Sequence, residues 1–172
     1  MEKALETTTA SLILAAGRGT RMKDFDGSKT LLPLHPGKSH YEGSNPILLE
    51  ILNNLPSGPK AVVVNHRKED VIDATRRFNL TYCEQPVLNG TGGALLAARE
   101  FVEVQECDHL IITMGDVPLV KSATYRELAE NLKNNSLTPK VIGSRFRPAL
   151  ALQLSLSYQA GSPGLSSTLP ST

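Results

Sequence analysis

A short apolar run breaks into a glycine-rich turn in the stretch Leu12-Ile13-Leu14-Ala15-Ala16-Gly17-Arg18-Gly19-Thr20-Arg21-Met22. The run is too short and ends too abruptly for a helix, so it predicts a buried strand. The small residues Ala15, Ala16 and Gly17 allow the backbone to approach a ligand closely, and Gly17 and Gly19 permit positive φ. Backbone N–H groups in such a turn form a concave anion-binding surface. The stretch therefore predicts a strand followed by a phosphate-binding loop.

Basic side chains accompany this turn. They are Arg18, Arg21, Lys23 and Lys29. Arginine can bind a phosphate with two hydrogen bonds, while lysine acts as a point charge, so the set suits a triphosphate. Two other glycine loops do not fit: Met22 stands where a dinucleotide-binding loop needs a third glycine, and Leu32 stands where a Walker A loop needs its first. A plain solvated turn stays open as an alternative.

Strands alternate with helices along the chain. We expect further strands at 61–64, 80–83 and 109–113, a candidate strand at 141–142, and helices at 67–78, 94–102 and 124–132. Another helix is expected to begin at Pro46, with Asn45 as its cap. This alternation predicts an α/β fold: a Rossmann-like, three-layer α/β/α arrangement around a mostly parallel sheet. Ligands bind beyond the carboxyl ends of such strands, so the glycine-rich loop and Gly115-Asp116 belong on the functional edge.

The overall composition argues against nucleic-acid-binding, membrane-spanning and secreted proteins. The chain has 172 residues, a net charge of +1 and two cysteines. This charge gives no reason to expect nucleic acid as a partner. No uncharged apolar run approaches the ~18 residues of a membrane-spanning helix, and the N-terminus lacks a secretory pattern. We expect a cytoplasmic protein without membrane partners; the sequence leaves its oligomeric state unknown.

The composition changes near Ser144. Acidic residues disappear from there onward, and Ser, Leu and Pro accumulate. The leucines at 150, 152, 154 and 156 alternate, which is typical of an edge strand. The remainder has the composition of a poorly ordered tail.

Three segments in register resemble the sugar-1-phosphate nucleotidylyltransferases of the MobA-like NTP transferase superfamily. They are Leu14–Met22 with Lys29 downstream, Gln85-x4-Gly90-Thr91-Gly92-Gly93-Ala94, and Gly115-Asp116-Val117-Pro118-Leu119. The resemblance covers about residues 10–135 and is greatest to the uridylyltransferase domain of the bifunctional N-acetylglucosamine-1-phosphate uridylyltransferases. It implies the nucleotide-diphospho-sugar transferase fold.

The resemblance also implies roles for individual residues. Arg21 would neutralise the triphosphate and the transition state, and Lys29 would contact phosphate at the reacting centre. An insertion relative to the family, residues 25–28, precedes Lys29, for which a solvated loop lysine is the alternative. The residues expected to bind the nucleotide are Leu14, Ala15, Ala16, Gly17, Arg18, Gly19, Thr20, Gln85, Gly90 and Thr91.

Two of the implied roles concern the base and a metal. The glutamine matched by Gln85 contacts uracil in the family, and an amide suits a base edge because it offers both donor and acceptor. Leu88 stands where relatives often carry a second glutamine, which leaves the base open. Asp116 is the expected Mg²⁺ ligand, because this hard cation favours carboxylate and phosphate oxygens; a helix-capping aspartate is the alternative.

The function implied is transfer of a nucleotidyl group. An NTP, with UTP favoured, would react with a sugar 1-phosphate to give a nucleotide sugar and pyrophosphate, assisted by Mg²⁺ and without a covalent intermediate. Nothing after Gly143 resembles the second half of the family domain, which supplies the sugar contacts. We therefore expect a truncated nucleotide-binding domain at 8–143, a divergent tail at 144–172, and incomplete turnover. A molybdenum-cofactor guanylyltransferase and a non-catalytic nucleotide-binding module remain alternatives.

Overall fold

The protein is described by a computed structural model for residues 9–17, 19, 22, 25–105, 107, 109–133 and 152–153. Along the chain its elements are β1 (Thr9–Leu14), a 3-10 turn (Lys29–Leu31), β2 (Pro33–Pro36), β3 (Gly43–Pro46), α1 (Ile47–Asn54), β4 (Lys60–Val64), α2 (Lys68–Thr75), β5 (Leu80–Glu84), α3 (Thr91–Ala97), α4 (Arg99–Glu103), β6 (His109–Met114), α5 (Ser122–Lys133) and β7 (Leu152–Gln153).

Within the described residues, the main sheet has five strands in the order β5-β4-β1-β6-β7. The first four are parallel, and β7 pairs antiparallel with β6 at the edge. The predicted α/β fold with a mostly parallel sheet is therefore confirmed. The strand at Leu152–Gln153 lies where the alternating leucines predict an edge strand. The candidate strand at 141–142 lies outside the described residues.

Two apolar cores lie on opposite faces of this sheet. Successive side chains of a strand point to opposite faces, and all six residues of β1 are buried because both faces are covered. Leu12 packs in one core with Ala98 and Phe101, which come from the α3–α4 side. Ile13 packs in the other core with residues of α1, α2 and α5, including the fully buried Tyr125. Helices thus cover the sheet on both sides.

The start of α1 differs from the sequence prediction. Pro46, not Asn45, is the capping residue, and Asn45 lies outside the helix in the left-handed region with φ of 57°. The reason is that Pro46 still pairs with Pro33 in the antiparallel ladder, so the chain enters the helix one residue later. Asn45 instead donates its side-chain amide to Glu50 Oε2 at 3.0 Å.

The predicted helix at 94–102 is two helices, and it begins earlier. Gly90 has φ of 89° and ψ of −171°, a conformation suited to glycine, and from it α3 begins at Thr91. The break falls at the fully buried Ala98, whose N–H is shared between the carbonyls of Ala94 and Leu95 at 3.3 and 3.1 Å. The helix predicted at 67–78 is also shorter, spanning Lys68–Thr75.

The segment at 33–46 forms a small antiparallel ribbon of β2 and β3, which was not predicted from the sequence. The inserted segment at 25–28 is attached to it, because Phe25 stacks on Tyr41 with ring centroids 4.9 Å apart. The neighbouring Asp26 pairs with Arg67 at the start of α2. Within the described part of the chain, no helix has the length and apolarity to cross a membrane.

Candidate active site

A cleft of about 870 Å³ lies where the loops that follow β1, β4, β5 and β6 converge. This is the carboxyl edge of the parallel strands, the edge expected to carry the ligand. Its lining is formed by Leu14, Ala16, Gly17, Gly19, Met22, Lys29, Asn65, Gln85, Pro86, Val87, Leu88, Gly90, Thr91, Ala94 and Met114. Eight of these are among the residues predicted from the sequence.

The loop after β1 opens onto the cleft at Ala16 and Gly17. A Cβ added at Gly17 would meet no atom within 4 Å, so the backbone here is accessible to a ligand. The positive φ of the turn, 63°, belongs to Gly19. Ala15 is buried away from the cleft, and its N–H donates to the carbonyl of Val63 at 2.9 Å, so a nucleotide contact from its backbone would come from its carbonyl. The predicted contacts from Arg18, Thr20 and Arg21 lie outside the described residues.

Lys29 and Asp116 form an ion pair beside the cleft. Lys29 begins the 3-10 turn, and Asp116 follows β6. Gly115 makes their approach possible: a Cβ there would lie 3.0 Å from the side chains of both Ala15 and Thr30. Each side chain of the pair keeps about a third of its surface exposed (34%), so both remain accessible to a ligand.

Gln85 is buried, with 3% of its surface exposed, at the end of β5. Its backbone N–H donates to the carbonyl of Val64 at 2.9 Å, and its own carbonyl accepts a hydrogen bond from Asn65 Nδ2 at 2.6 Å. Its side-chain Nε2 donates to Asn89 Oδ1 at 3.1 Å and to the carbonyl of Gly90 at 3.2 Å. The amide is therefore held in place before any ligand arrives.

Several lining residues were not predicted from the sequence as part of the site. Asn65 is the polar one, and it follows the buried strand β4 in the same way that Asp116 follows β6. Asp116 was singled out as a polar residue shortly after an apolar strand, and the same criterion would have found Asn65. Val87 and Leu88 give the loop between β5 and α3 an apolar surface, and both side chains are exposed, at 66% and 38%.

Polar groups are distributed unequally along the cleft. In strand order, Gln85 follows β5, Asn65 follows β4, the glycine-rich loop follows β1 and Asp116 follows β6. The two amides thus lie at one end and the Lys29–Asp116 pair at the other. Three strand spacings separate β5 from β6, which is roughly 14 Å. An elongated ligand with a polar ring at one end and anionic groups at the other would match this arrangement.

The sequence matches a family model over residues 11–159, and the model describes the MobA-like NTP transferase domain. This chain belongs to that family.

Curated relatives of this NTP transferase domain include several bifunctional GlmU proteins. This chain is 37% identical to the GlmU protein of Hydrogenobaculum over 120 residues, which are 67% of this chain and 24% of the relative. It is 35% identical to that of Sphingopyxis alaskensis over 146 residues, 84% of this chain and 30% of the relative. With the protein of Desulfotalea psychrophila the identity is 31%, over 77% and 37% of the two chains. The matches thus span about a quarter to just over a third of these relatives' length.

Solved structures share the fold of this family member. A nucleotidyl transferase from Methanothermobacter superposes with a TM-score of 0.57 and 25% identity, over 72% of this chain and 57% of the other. A CMP:2-keto-3-deoxy-manno-octonic acid synthetase, solved with CTP, superposes with a TM-score of 0.53 and 15% identity, over 77% of this chain and 50% of the other. The fold is therefore that of the nucleotide-diphospho-sugar transferases.

The donor groups beside the cleft of this MobA-like domain fit a magnesium ion bound together with phosphate. Among the described residues, no three His, Cys, Asp or Glu side chains converge on one point. Mg²⁺ does not need such a group, because it commonly binds one or two carboxylates and takes its other oxygens from phosphate and water. Asp116 supplies one accessible carboxylate at the charged end of the cleft.

Proposed function

We propose that this chain binds a nucleoside triphosphate, with UTP favoured, and transfers its nucleotidyl group to a sugar 1-phosphate. The observation that carries the proposal is the cleft with amides at one end and the Lys29–Asp116 pair beside its other end. A nucleotide bound along it would place its base near Gln85 and its phosphates near Lys29. Membership of the MobA-like family supports the reaction class.

The reaction is a displacement at phosphorus. An oxygen of the sugar phosphate attacks the α-phosphorus, the bond from that atom to the β-phosphate oxygen breaks, and pyrophosphate leaves. Positioning and charge stabilisation dominate such transfers. Lys29 and Arg21 would neutralise negative charge on the phosphates, and the backbone from Leu14 to Thr20 would hold the nucleotide.

Gly90 and Thr91 would pack against the nucleotide beside Gln85. Asp116 would hold Mg²⁺, which when bound supplies positive charge to the phosphate oxygens and orients them. Until the nucleotide arrives, Lys29 keeps the carboxylate of Asp116 paired.

The proposal extends to organisation and location. We place the nucleotide-binding domain at 8–143, followed by a divergent segment at 144–172. Acceptor binding by this chain alone is incomplete under this proposal. The family's sugar contacts come from the second half of the domain, and although the family model matches through residue 159, no Asp, Glu or Asn follows Gly143. We also propose a cytoplasmic location, which the unpaired thiols of Cys83 and Cys107 support, because reducing compartments keep cysteines free.

The test has two steps. First, the melting temperature of the 172-residue chain is measured with each of four NTPs in the presence of Mg²⁺; a rise with UTP is expected, because a ligand that binds only the folded state stabilises it. Second, pyrophosphate release is measured with UTP and a series of sugar 1-phosphates. Stabilisation without turnover would indicate a nucleotide-binding module, and stabilisation by GTP alone would favour a guanylyltransferase. No shift with any NTP would refute the proposal.

A further inference from the structure

The inserted segment at 25–28 immediately precedes Lys29 in the chain. Its last residue, Ser28, is buried, and the Ser28 hydroxyl forms a hydrogen bond of 2.9 Å with the hydroxyl of the buried Thr30. The carbonyl of Ser28 accepts a second hydrogen bond, from the N–H of Leu31 at 2.9 Å. The residues on either side of Lys29 are thus joined to each other. The position of the inserted segment therefore sets the position of Lys29.

Arg67 holds the exposed part of this segment. Its Nε donates to the backbone carbonyl of Asp26 at 2.9 Å, and a terminal nitrogen of the same guanidinium pairs with the Asp26 carboxylate. His66 Nε2 lies 3.9 Å from the other carboxylate oxygen. One planar guanidinium thus binds the main chain and the side chain of one residue, which fixes the orientation of Asp26 as well as its distance.

The backbone of Arg67 adopts an uncommon conformation. With φ of 54° and ψ of 41°, it lies in the left-handed region, which a long side chain seldom occupies. Glycine would adopt the same conformation without strain. Strain of this kind is a reason to look for a function of the side chain, and the hydrogen bonds of this side chain go to Asp26.

The pair of Arg67 and Asp26 is too exposed to be explained by stability. The two side chains keep 44% and 82% of their surface exposed, and ion pairs of this kind contribute little to the free energy of folding. On its other side the segment is attached through Phe25, whose ring covers Gly27 and stacks on Tyr41 of the ribbon turn. The inserted segment is therefore held between the start of α2 and the ribbon.

We propose that Arg67 is a positioning residue, which holds Asp26 and thereby places the Lys29 ammonium group at the charged end of the cleft. This deepens the proposed function and rests on it. The stem of Lys29 lies along the glycine-rich loop, since a Cβ added at Gly19 would lie 3.5 to 3.9 Å from three of its carbons. A shift of the 3-10 turn would move the ammonium group away from this loop and from Asp116.

The experiment compares Arg67→Gly with the wild type in the full chain. Because glycine suits this backbone conformation, the melting temperature should change little. If release leaves Lys29 in place only about a third of the time, the apparent affinity for UTP in saturating Mg²⁺ falls about threefold, as measured by calorimetry. Arg76→Gly is the matched control: Arg76 is an exposed arginine just after α2 that pairs with Asp73, and its loss should leave UTP affinity unchanged.

A double variant separates positioning from a general structural effect. In a Lys29→Met background, Arg67→Gly should cause no further loss of UTP affinity, because it acts through the ammonium group that is now absent. A loss that persists in this background, or an unchanged affinity in Arg67→Gly alone, would overturn the inference and leave nucleotide binding intact.

A second measurement needs no nucleotide. Lysine amines are acetylated and the rates are followed by mass spectrometry, with the exposed Lys121 as the internal reference. Asp116 shields the amine of Lys29 in the wild type, so its rate should rise at least about twofold in Arg67→Gly as the released fraction grows. An unchanged rate would overturn the inference. Failure of the wild type to bind any NTP would refute the proposed function, and the acetylation rates would still show whether Arg67 positions Lys29.

Discussion

The ammonium group of Lys29 lies against the carboxylate of Asp116, although 87 positions separate the two residues in the chain. They meet because β1 and β6 are neighbouring strands, with Leu14 opposite Met114, and because Gly115 leaves room for the 3-10 turn that carries Lys29. An ion pair this exposed contributes at most about 1 kcal/mol to stability. Its place at the charged end of the cleft suggests a role in binding.

Replacement of Lys29 by methionine should weaken nucleotide binding without a comparable loss of stability. Methionine keeps most of the length of the side chain but not its charge. We expect Lys29→Met to weaken UTP binding about tenfold, a typical loss for one charge-assisted hydrogen bond, and to change the melting temperature little. Lys38→Met, in the exposed turn between β2 and β3, is the matched control and should bind UTP normally. Equal affinities for the two variants would contradict a phosphate contact by Lys29.

Removal of Mg²⁺ should weaken UTP binding to the wild type more than UTP binding to an Asp116 variant. If Asp116 holds Mg²⁺ at the phosphates, EDTA should weaken UTP binding to the wild type. Asp116→Asn should bind UTP weakly with or without Mg²⁺, because an amide is a poorer ligand for this cation than a carboxylate. Titration of UTP at several Mg²⁺ concentrations measures the difference. An Asp116→Asn chain with undiminished Mg²⁺ dependence would place the metal elsewhere.

Replacement by alanine should destabilise the fold at Gly115 but not at Gly92. A methyl group at Gly115 would be forced to 3.0 Å from two side chains and 3.1 Å from the carbonyl of Leu14, whereas one at Gly92 meets nothing within 4 Å. Overpacking of this kind costs roughly 1–3 kcal/mol, so Gly115→Ala should lower the free energy of unfolding in urea by that amount. Gly92→Ala lies within α3, where alanine is the better helix former, and should not lower it.

The stability of the fold should depend on pH through Glu50. Hydrogen bonds from Asn45, and then from Asn54, hold the pKa of this carboxyl below its ordinary value of 4.5. Because the folded-state pKa is the lower one, the stabilisation is complete well above pH 4.5 and is lost as the pH falls through the folded-state pKa. The wild type should therefore exceed Glu50→Gln in stability at neutral pH, and the gap should close under acid.

Asn45→Gly provides the control for Glu50. Glycine retains access to the positive φ at this position but removes the amide that donates to the carboxylate. Unfolding curves from pH 3 to 7 should show a weaker acid dependence for this variant than for the wild type. If the wild type and Asn45→Gly show the same pH dependence of stability, that dependence arises from other carboxylates.

How far the sequence predicts the structure differs between elements. The strands at 61–64 and 109–113 have apolar, largely buried centres, at 61–64 and 110–112, and such runs mark the positions of strands to within a residue. The prediction that Gly115-Asp116 lies at the carboxyl edge followed from the strand alone. The cap of α1 and the break at Ala98 could not be predicted, because they depend on strand pairing by Pro46 and on packing of a fully buried alanine.

The site was predictable as a set of residues but not as a set of contacts. Gln85 could be singled out from the sequence, yet nothing in its neighbourhood shows that Asn89 and Gly90 take both of its N–H groups. Asn65 carries no local pattern apart from its position after β4. Hydrogen bonds between side chains on different loops arise only from the folded geometry, which is why the orientation of the amide required the structure.

The central place of β1 has a consequence for biosynthesis. Among the described strands it is made first, yet Thr9 pairs with His109, roughly one hundred positions later. At about 5–20 residues per second, the ribosome delivers β6 roughly 5–20 s after β1. Until then one edge of a strand whose residues are all buried in the finished fold remains open to other chains, a known route to aggregation. We therefore expect the soluble yield of the recombinant chain to depend on expression temperature and chaperone supply more than on the melting temperature of the finished fold.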